Sequence, residues 1–84
     1  MKQIRLSAHA KEQAIFRGTT QSEIEDAIAS TTWGPASNGR LECKKNLPFD
    51  STWNGRSYST KQVRPVFVDE PSEIVVVTVY VYYF

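Results

Sequence analysis

At 84 residues the chain is expected to form one domain, residues 1–84, with a thin core. It has 40% hydrophobic and 23% charged residues and no low-complexity tract, the balance of an ordinary globular protein. A net charge of +1 argues against wholesale electrostatic attraction to nucleic acid, and the single cysteine, Cys43, excludes an intrachain disulfide and a multi-cysteine zinc site.

The first residues lack the long apolar core of a signal peptide, and the apolar run at the end is too short for a membrane helix. A cytoplasmic protein without membrane contact is therefore expected. Lys2–Leu6 alternates Ile4 and Leu6 with Gln3 and Arg5 and reads as a brief strand or an extended lead-in. Ser7 offers an N-cap for a helix over Ala8–Arg17, and Gly18 supplies the left-handed residue that ends it. Ala10, Ala14 and Ile15 are expected to face a sheet, with His9, Gln13 and Phe16 on another side and Arg17 adjacent. Thr20-Gln-Ser-Glu23 is a capping box opening a second helix, roughly Gln21 to Ala29, with Ile24, Ala27 and Ile28 buried. The turn between the helices is very short, so they form a helical hairpin.

Asn38-Gly39 and Asn54-Gly55 mark turns with positive φ, the second a hairpin signal. Arg40–Lys45 alternates as a strand with Leu41 and Cys43 inward, while Asn46–Trp53 reads as loop because of Pro48. Arg56–Lys61 leads into Gln62–Val68, where Pro65 demands an edge, a bulge or a bend. The final strand is the richest in β-branched and aromatic residues. Strict alternation puts Val75, Val77, Val79, Val81 and Tyr83 under the helices. It puts Ile74, Val76, Thr78, Tyr80, Tyr82 and Phe84 on the other face. The predicted fold is α+β, a helical hairpin on a curled antiparallel sheet in the order β-α-α-β-(β)-β-β.

Charge is uneven along the chain. Between Arg40 and Arg64 stand six bases and two acids. This is either a phosphate-binding surface or a solvated sheet edge. No phosphate-cradling glycine loop, Cys-His metal pattern or nucleophile elbow occurs, so no metal or other cofactor is expected. His9 is either a general acid or base, since imidazole titrates near working pH, or a histidine that closes a helix start and packs on a ring. Arg17, Arg40, Lys61 and Arg64 are the cations that can converge, Arg17 also being suited to a helix end. Lys61 and Arg64 alternate differently and are expected on opposite faces. Trp33, Trp53, Phe49 and Tyr58 either stack unpaired bases or plug the ends of the core. Cys43 reads as a buried small residue.

Several pieces in order carry a resemblance. They are Leu6-Ser-x-His9-Ala10, Arg17-Gly18, Glu23-Ile-Glu-Asp-Ala-Ile28, Gly39-Arg40, Trp53-Asn-Gly55, Lys61-Gln-Val63 and Glu73–Phe84. Together they resemble a small bacterial domain family of unknown function allied to the RelE/ParE toxin superfamily, over nearly the whole chain. The resemblance implies the barnase/colicin/RelE-type ribonuclease fold. It also implies the toxin of a type II toxin–antitoxin pair, a metal-independent endoribonuclease with RNA as substrate and a cognate antitoxin as partner. Carried onto this sequence, the site residues are His9, Arg17, Arg40, Lys61, Thr78 and Tyr80. His9 would be acid or base, Arg40 and Lys61 with Arg17 would hold phosphate, and Thr78 and Tyr80 would line the groove. Arg64 and Tyr82 would contact substrate. The alternatives are a non-catalytic RNA- or protein-binding module of a mobile element and a gyrase-directed toxin.

Overall fold

A computed structural model describes residues 2–84. In chain order the elements are strand β1 (Gln3–Leu6), helix α1 (Ala8–Arg17), helix α2 (Gln21–Ser30) and strand β2 (Gly34–Pro35). Strands β3 (Leu41–Glu42), β4 (Lys45–Trp53), β5 (Arg56–Asp69) and β6 (Glu73–Tyr83) follow. The fold is α+β, with both helices packed on one face of a six-stranded sheet of order β1-β6-β5-β3-β2, where β4 pairs further along β5. The sheet is mixed, not purely antiparallel as expected, because β1 runs parallel to β6 with Ile4 opposite Ile74. The connection between this parallel pair is long: the helices carry the chain from β1 to β2 at the other end of the sheet, and the strands then return to β6.

The helices follow their local signals. Ser7 Oγ accepts the Ala10 amide at 3.1 Å, and Gly18 closes α1 at φ 84. Thr20 Oγ1 accepts the Glu23 amide at 3.2 Å. The capping box is not reciprocal, however: the Glu23 carboxylate instead takes the Thr19 hydroxyl at 2.9 Å. Ala10 and Ala14 lie against the sheet, whereas Ile15, expected beside them, is 82% exposed. One residue beyond Ala14 lies about 100° round the helix, which turns Ile15 away from the stripe that Ala10 and Ala14 share.

The core is formed by Ile24, Ala27 and Ile28 of α2 with Val63, Phe67, Ile74, Val76 and Val79 of the sheet. Trp33 meets Phe67 edge-on at 5.0 Å and donates its indole N–H to the Ile28 carbonyl. Asn46–Trp53 is a strand, contrary to expectation; Pro48 is tolerated there because β4 is an edge. Asn54 and Gly55, at φ 51 and 80, turn it into β5. Pro65 is central and buried. Its carbonyl accepts the Cys43 amide at 3.3 Å, so its missing N–H points at the Cys43–Lys44 break between β3 and β4 and leaves no ladder bond unmade.

A bulge governs β6. Val66 faces Thr78 but Phe67 faces Val76, so Val77 is the extra residue. Alternation therefore changes phase there. Ile74 and Val76 are buried under the helices with Val79 and Val81, which corrects the assignment of Val75 and Val77 to that face. Ser7 closes the irregularity by donating its hydroxyl to the Val77 carbonyl at 3.2 Å.

At the sheet's far edge Arg5 and Glu73 form an exposed ion pair at 3.0 Å. The hydrogen bond from Arg5 holds the Glu73 carboxyl below its ordinary value. A lowered folded pKa stabilises the fold above the ordinary carboxylate range and ceases to do so as pH falls through the folded value. The melting temperature of the wild type should thus drop more steeply than that of Glu73→Gln between about pH 5 and about pH 3. Added salt should shrink the difference; parallel curves at low salt would remove the pair from the acid response.

Candidate functional site

The face of the sheet away from the helices is uncovered, and β5 and β6 place its side chains by simple alternation on either side of the bulge. Arg64 and Val66 point to it from β5; Thr78, Tyr80 and Tyr82 point to it from β6. Arg40 and Glu42 reach it from the β2–β3 hairpin, whose turn is set by Asn38 and Gly39 at φ 60 and 72. Together they line a groove of about 390 Å³ with a floor made by Val66.

Arg64 is anchored in this groove. Its Nη2 donates to both oxygens of Glu42, at 2.7 and 2.9 Å. Glu42 stands diagonal to Arg64 across the β3–β5 pairing, the spacing at which long side chains on one face meet. The hydrogen bond to Glu42 raises the Arg64 pKa above its ordinary value. Because one nitrogen serves both carboxylate oxygens, the guanidinium fork keeps donors for a second oxyanion. Arg40 has no carboxylate partner among the described residues.

The Tyr80 ring is engaged by two cations, with the Arg17 and Arg64 guanidinium carbons 5.3 and 5.9 Å from its centroid. Arg17 is steadied from its own helix, where Nε donates to Gln13 Oε1 at 2.8 Å. Tyr80 thus serves to position two arginines, and the more exposed Tyr82, at 43%, is the ring open to stacking. Two guanidinium groups against one carboxylate line the groove, and a third, that of Arg17, lies against its Tyr80 ring, so the site is cationic although the chain is close to neutral. The chemistry of such a surface suits an oxyanion and a planar group stacked on Tyr82.

Arg40, Arg64, Thr78, Tyr80 and Tyr82 therefore meet as the sequence suggested, with Arg17 joining them round the free edge of β6. Two expected members do not. Lys61 lies on the helix side of the sheet, opposite in phase to Arg64, and is 7% exposed. Its ammonium pairs with Glu23 at 2.8 Å and donates to the Gly18 carbonyl at 3.0 Å, so it ties β5 to the junction of the two helices. His9 is exposed in the first turn of α1 and does not line the groove. The α1 residue that touches a groove residue is Arg17, against the Tyr80 ring, two turns further on, or about 12 Å along the axis. Glu42 was overlooked, yet a signal for it existed: with Leu41 inward, alternation puts Arg40 and Glu42 together on the outer face.

The loop aromatics plug the core's end. Tyr83 stacks on Trp53 at 5.1 Å, meets Phe49 and Tyr58, and donates its hydroxyl to the Arg17 carbonyl at 2.7 Å. That bond fixes the end of α1 and thereby the origin of the Arg17 side chain. Burial pushes the Tyr83 hydroxyl pKa up, keeping it a donor. Cys43 is buried, and the burial raises its thiol pKa, which disfavours a nucleophilic thiolate. No helix among the described residues is long and apolar enough to cross a membrane. Comparison with protein-family models, curated proteins and solved structures finds no match for the chain.

Proposed function

We propose that this chain is an endoribonuclease of the RelE-like toxin type, working in the cytoplasm on single-stranded RNA laid over the open face of the sheet. The observation that carries this reading is the convergence of Arg40 and Arg64 with Thr78, Tyr80 and Tyr82 on one groove, with Arg17 against the Tyr80 ring. The chemistry is displacement at phosphorus. The 2′-oxygen forms a bond to phosphorus, the bond to the 5′-oxygen breaks, and a 2′,3′-cyclic phosphate is left. The arginines bind the phosphate and stabilise the charge that grows on it. Glu42 is the one carboxylate in the groove and takes the 2′-hydroxyl proton once a phosphate competes for Arg64. A tyrosine hydroxyl of the same face returns a proton to the leaving oxygen. A lone carboxylate already held by an arginine is a poor donor set for a divalent cation, so the cleavage is proposed to be metal-independent. The partner proposed is an antitoxin whose acidic segment covers the cationic groove.

Purified protein with single-stranded RNA in the presence of a chelator should give fragments ending in 2′,3′-cyclic phosphate. Arg40→Ala should slow their formation about 10- to 100-fold with the fold unchanged by circular dichroism. One observation favours a second reading: His9, the expected acid or base, and Lys61, expected to hold phosphate, both stand outside the groove. A non-catalytic RNA- or protein-binding module, a gyrase-directed inhibitor included, needs neither. RNA left intact, free and on ribosomes, with binding that still depends on Arg40, decides for the module.

A further inference from the structure

The break between β3 and β4 opens a second hollow beside the groove. It measures about 500 Å³ and is walled by Thr31, Thr32, Gly34, Lys44 and Gln62. The two hollows share a wall: the Glu42–Arg64 pair lines both. Each has the size of a small-ligand site, about 300–1,000 Å³. The second is polar in a particular way. Its walls include two threonines, the hydroxyl of Thr31 already donating to the Ala27 carbonyl at 2.7 Å, and Gln62, whose amide is oriented by its 2.9 Å bond to Asn46. Lys44 at its rim is exposed and has no carboxylate partner among the described residues, whereas its neighbour Lys45 is bound to Asp26 at 2.6 Å.

The geometry points to two adjacent nucleotide subsites straddling Arg64, with one splayed base in the hollow over the strand break and the next phosphate on Lys44. This rests on the reading of the groove as an RNA site and deepens it. The substrate is then single-stranded and at least two nucleotides long on the side of Lys44. A base paired in a duplex keeps its edges and faces occupied and cannot enter a recess, whereas an unpaired base can be turned out and held by its polar edge. Hydroxyl and amide walls suit that edge, and the ammonium suits the diester beyond it.

Gly34 offers a place to add bulk. It lines the hollow, and a Cβ built there meets nothing within 4 Å, so Gly34→Leu adds a side chain at the hollow's wall with no clash at Cβ. The test measures fluorescence anisotropy with a labelled 2′-O-methyl RNA tetramer of mixed sequence, which cannot be cleaved, and competition by uridine 3′-phosphate. Gly34→Leu and Lys44→Ala should each weaken the tetramer about tenfold and leave the mononucleotide within about twofold. Lys44→Ala should also reduce the salt dependence of tetramer binding by about one counterion. A duplex of the same sequence should bind at least about tenfold more weakly than the single strand.

If both variants bind the tetramer like wild type while Arg40→Ala does not, the groove binds RNA and the second subsite is overturned alone. If Arg40→Ala also binds like wild type, the RNA reading of the groove falls and the subsite with it. A duplex that binds as tightly as the single strand overturns the splayed-base arrangement.

Discussion

Gly18→Val should destabilise the domain by about 3–5 kcal/mol, most of the margin a chain this small possesses. Two causes add. Gly18 sits at φ 84, where a β-branched residue is strained. A Cβ there would also lie 2.5 Å from the Tyr83 hydroxyl and 2.7 Å from the Trp53 ring. These are the stacked rings that hold the β4–β5 hairpin against the end of α1. Gly39→Val separates the causes, because Gly39 has φ 72 but nothing within 4 Å of its Cβ. It should show the backbone part alone, about 1–2 kcal/mol. Urea unfolding followed by circular dichroism measures both. Equal losses at the two glycines would mean that the Trp53–Tyr83 stack yields without resistance.

Lys61→Ala should cost about 2–3 kcal/mol of stability and leave phosphate binding in the groove unchanged for the protein that remains folded. Its side chain is 9% exposed and that of Glu23 is 31% exposed, so the loss falls below that for a fully buried pair. Removing the ammonium takes from the Gly18 carbonyl its only side-chain donor among the described residues and leaves the Glu23 carboxylate with the Thr19 hydroxyl but no counter-charge. Adding Glu23→Gln to Lys61→Met should recover part of the loss, since the stranded charge is gone and the apolar stem is kept. A Lys61→Ala protein that folds as stably as wild type but no longer binds phosphate would return Lys61 to the site.

The two lysine and arginine positions of β5 show how a functional reading depends on phase. Lys61 and Arg64 are three apart and must face opposite ways in an unbroken strand, and they do. Sequence alone offered no ground for choosing which of them belonged with Thr78 and Tyr80. The choice is made by β6, where Tyr83 opposes Lys61 and Tyr80 opposes Arg64. Tyr83 is drawn to the helix side by Phe49, Trp53 and Tyr58, three rings from a hairpin whose first strand Pro48 had disguised as loop. His9 was a reasonable candidate by chemistry, but α1 brings its C-terminal arginine to Tyr80, not its N-terminal histidine.

Local sequence is enough for both helices, their caps, the Asn-Gly turns and the existence of β6. Each of these is decided by contacts within three or four residues: Ser7 on Ala10, Thr20 on Glu23, a positive φ at Gly18. The α+β class followed from them. Tertiary structure alone decided the faces of β6. A run of valines satisfies either face, so nothing local marks Val77 as the extra residue. The bulge exists because Phe67 takes Val76 as partner while Val66 takes Thr78, with Ser7 bonding the carbonyl left between them. That single slip buries Ile74 and Val76 along with Val79. Thr78, Tyr80 and Tyr82 remain on the open face with Arg40 and Arg64, where the groove forms.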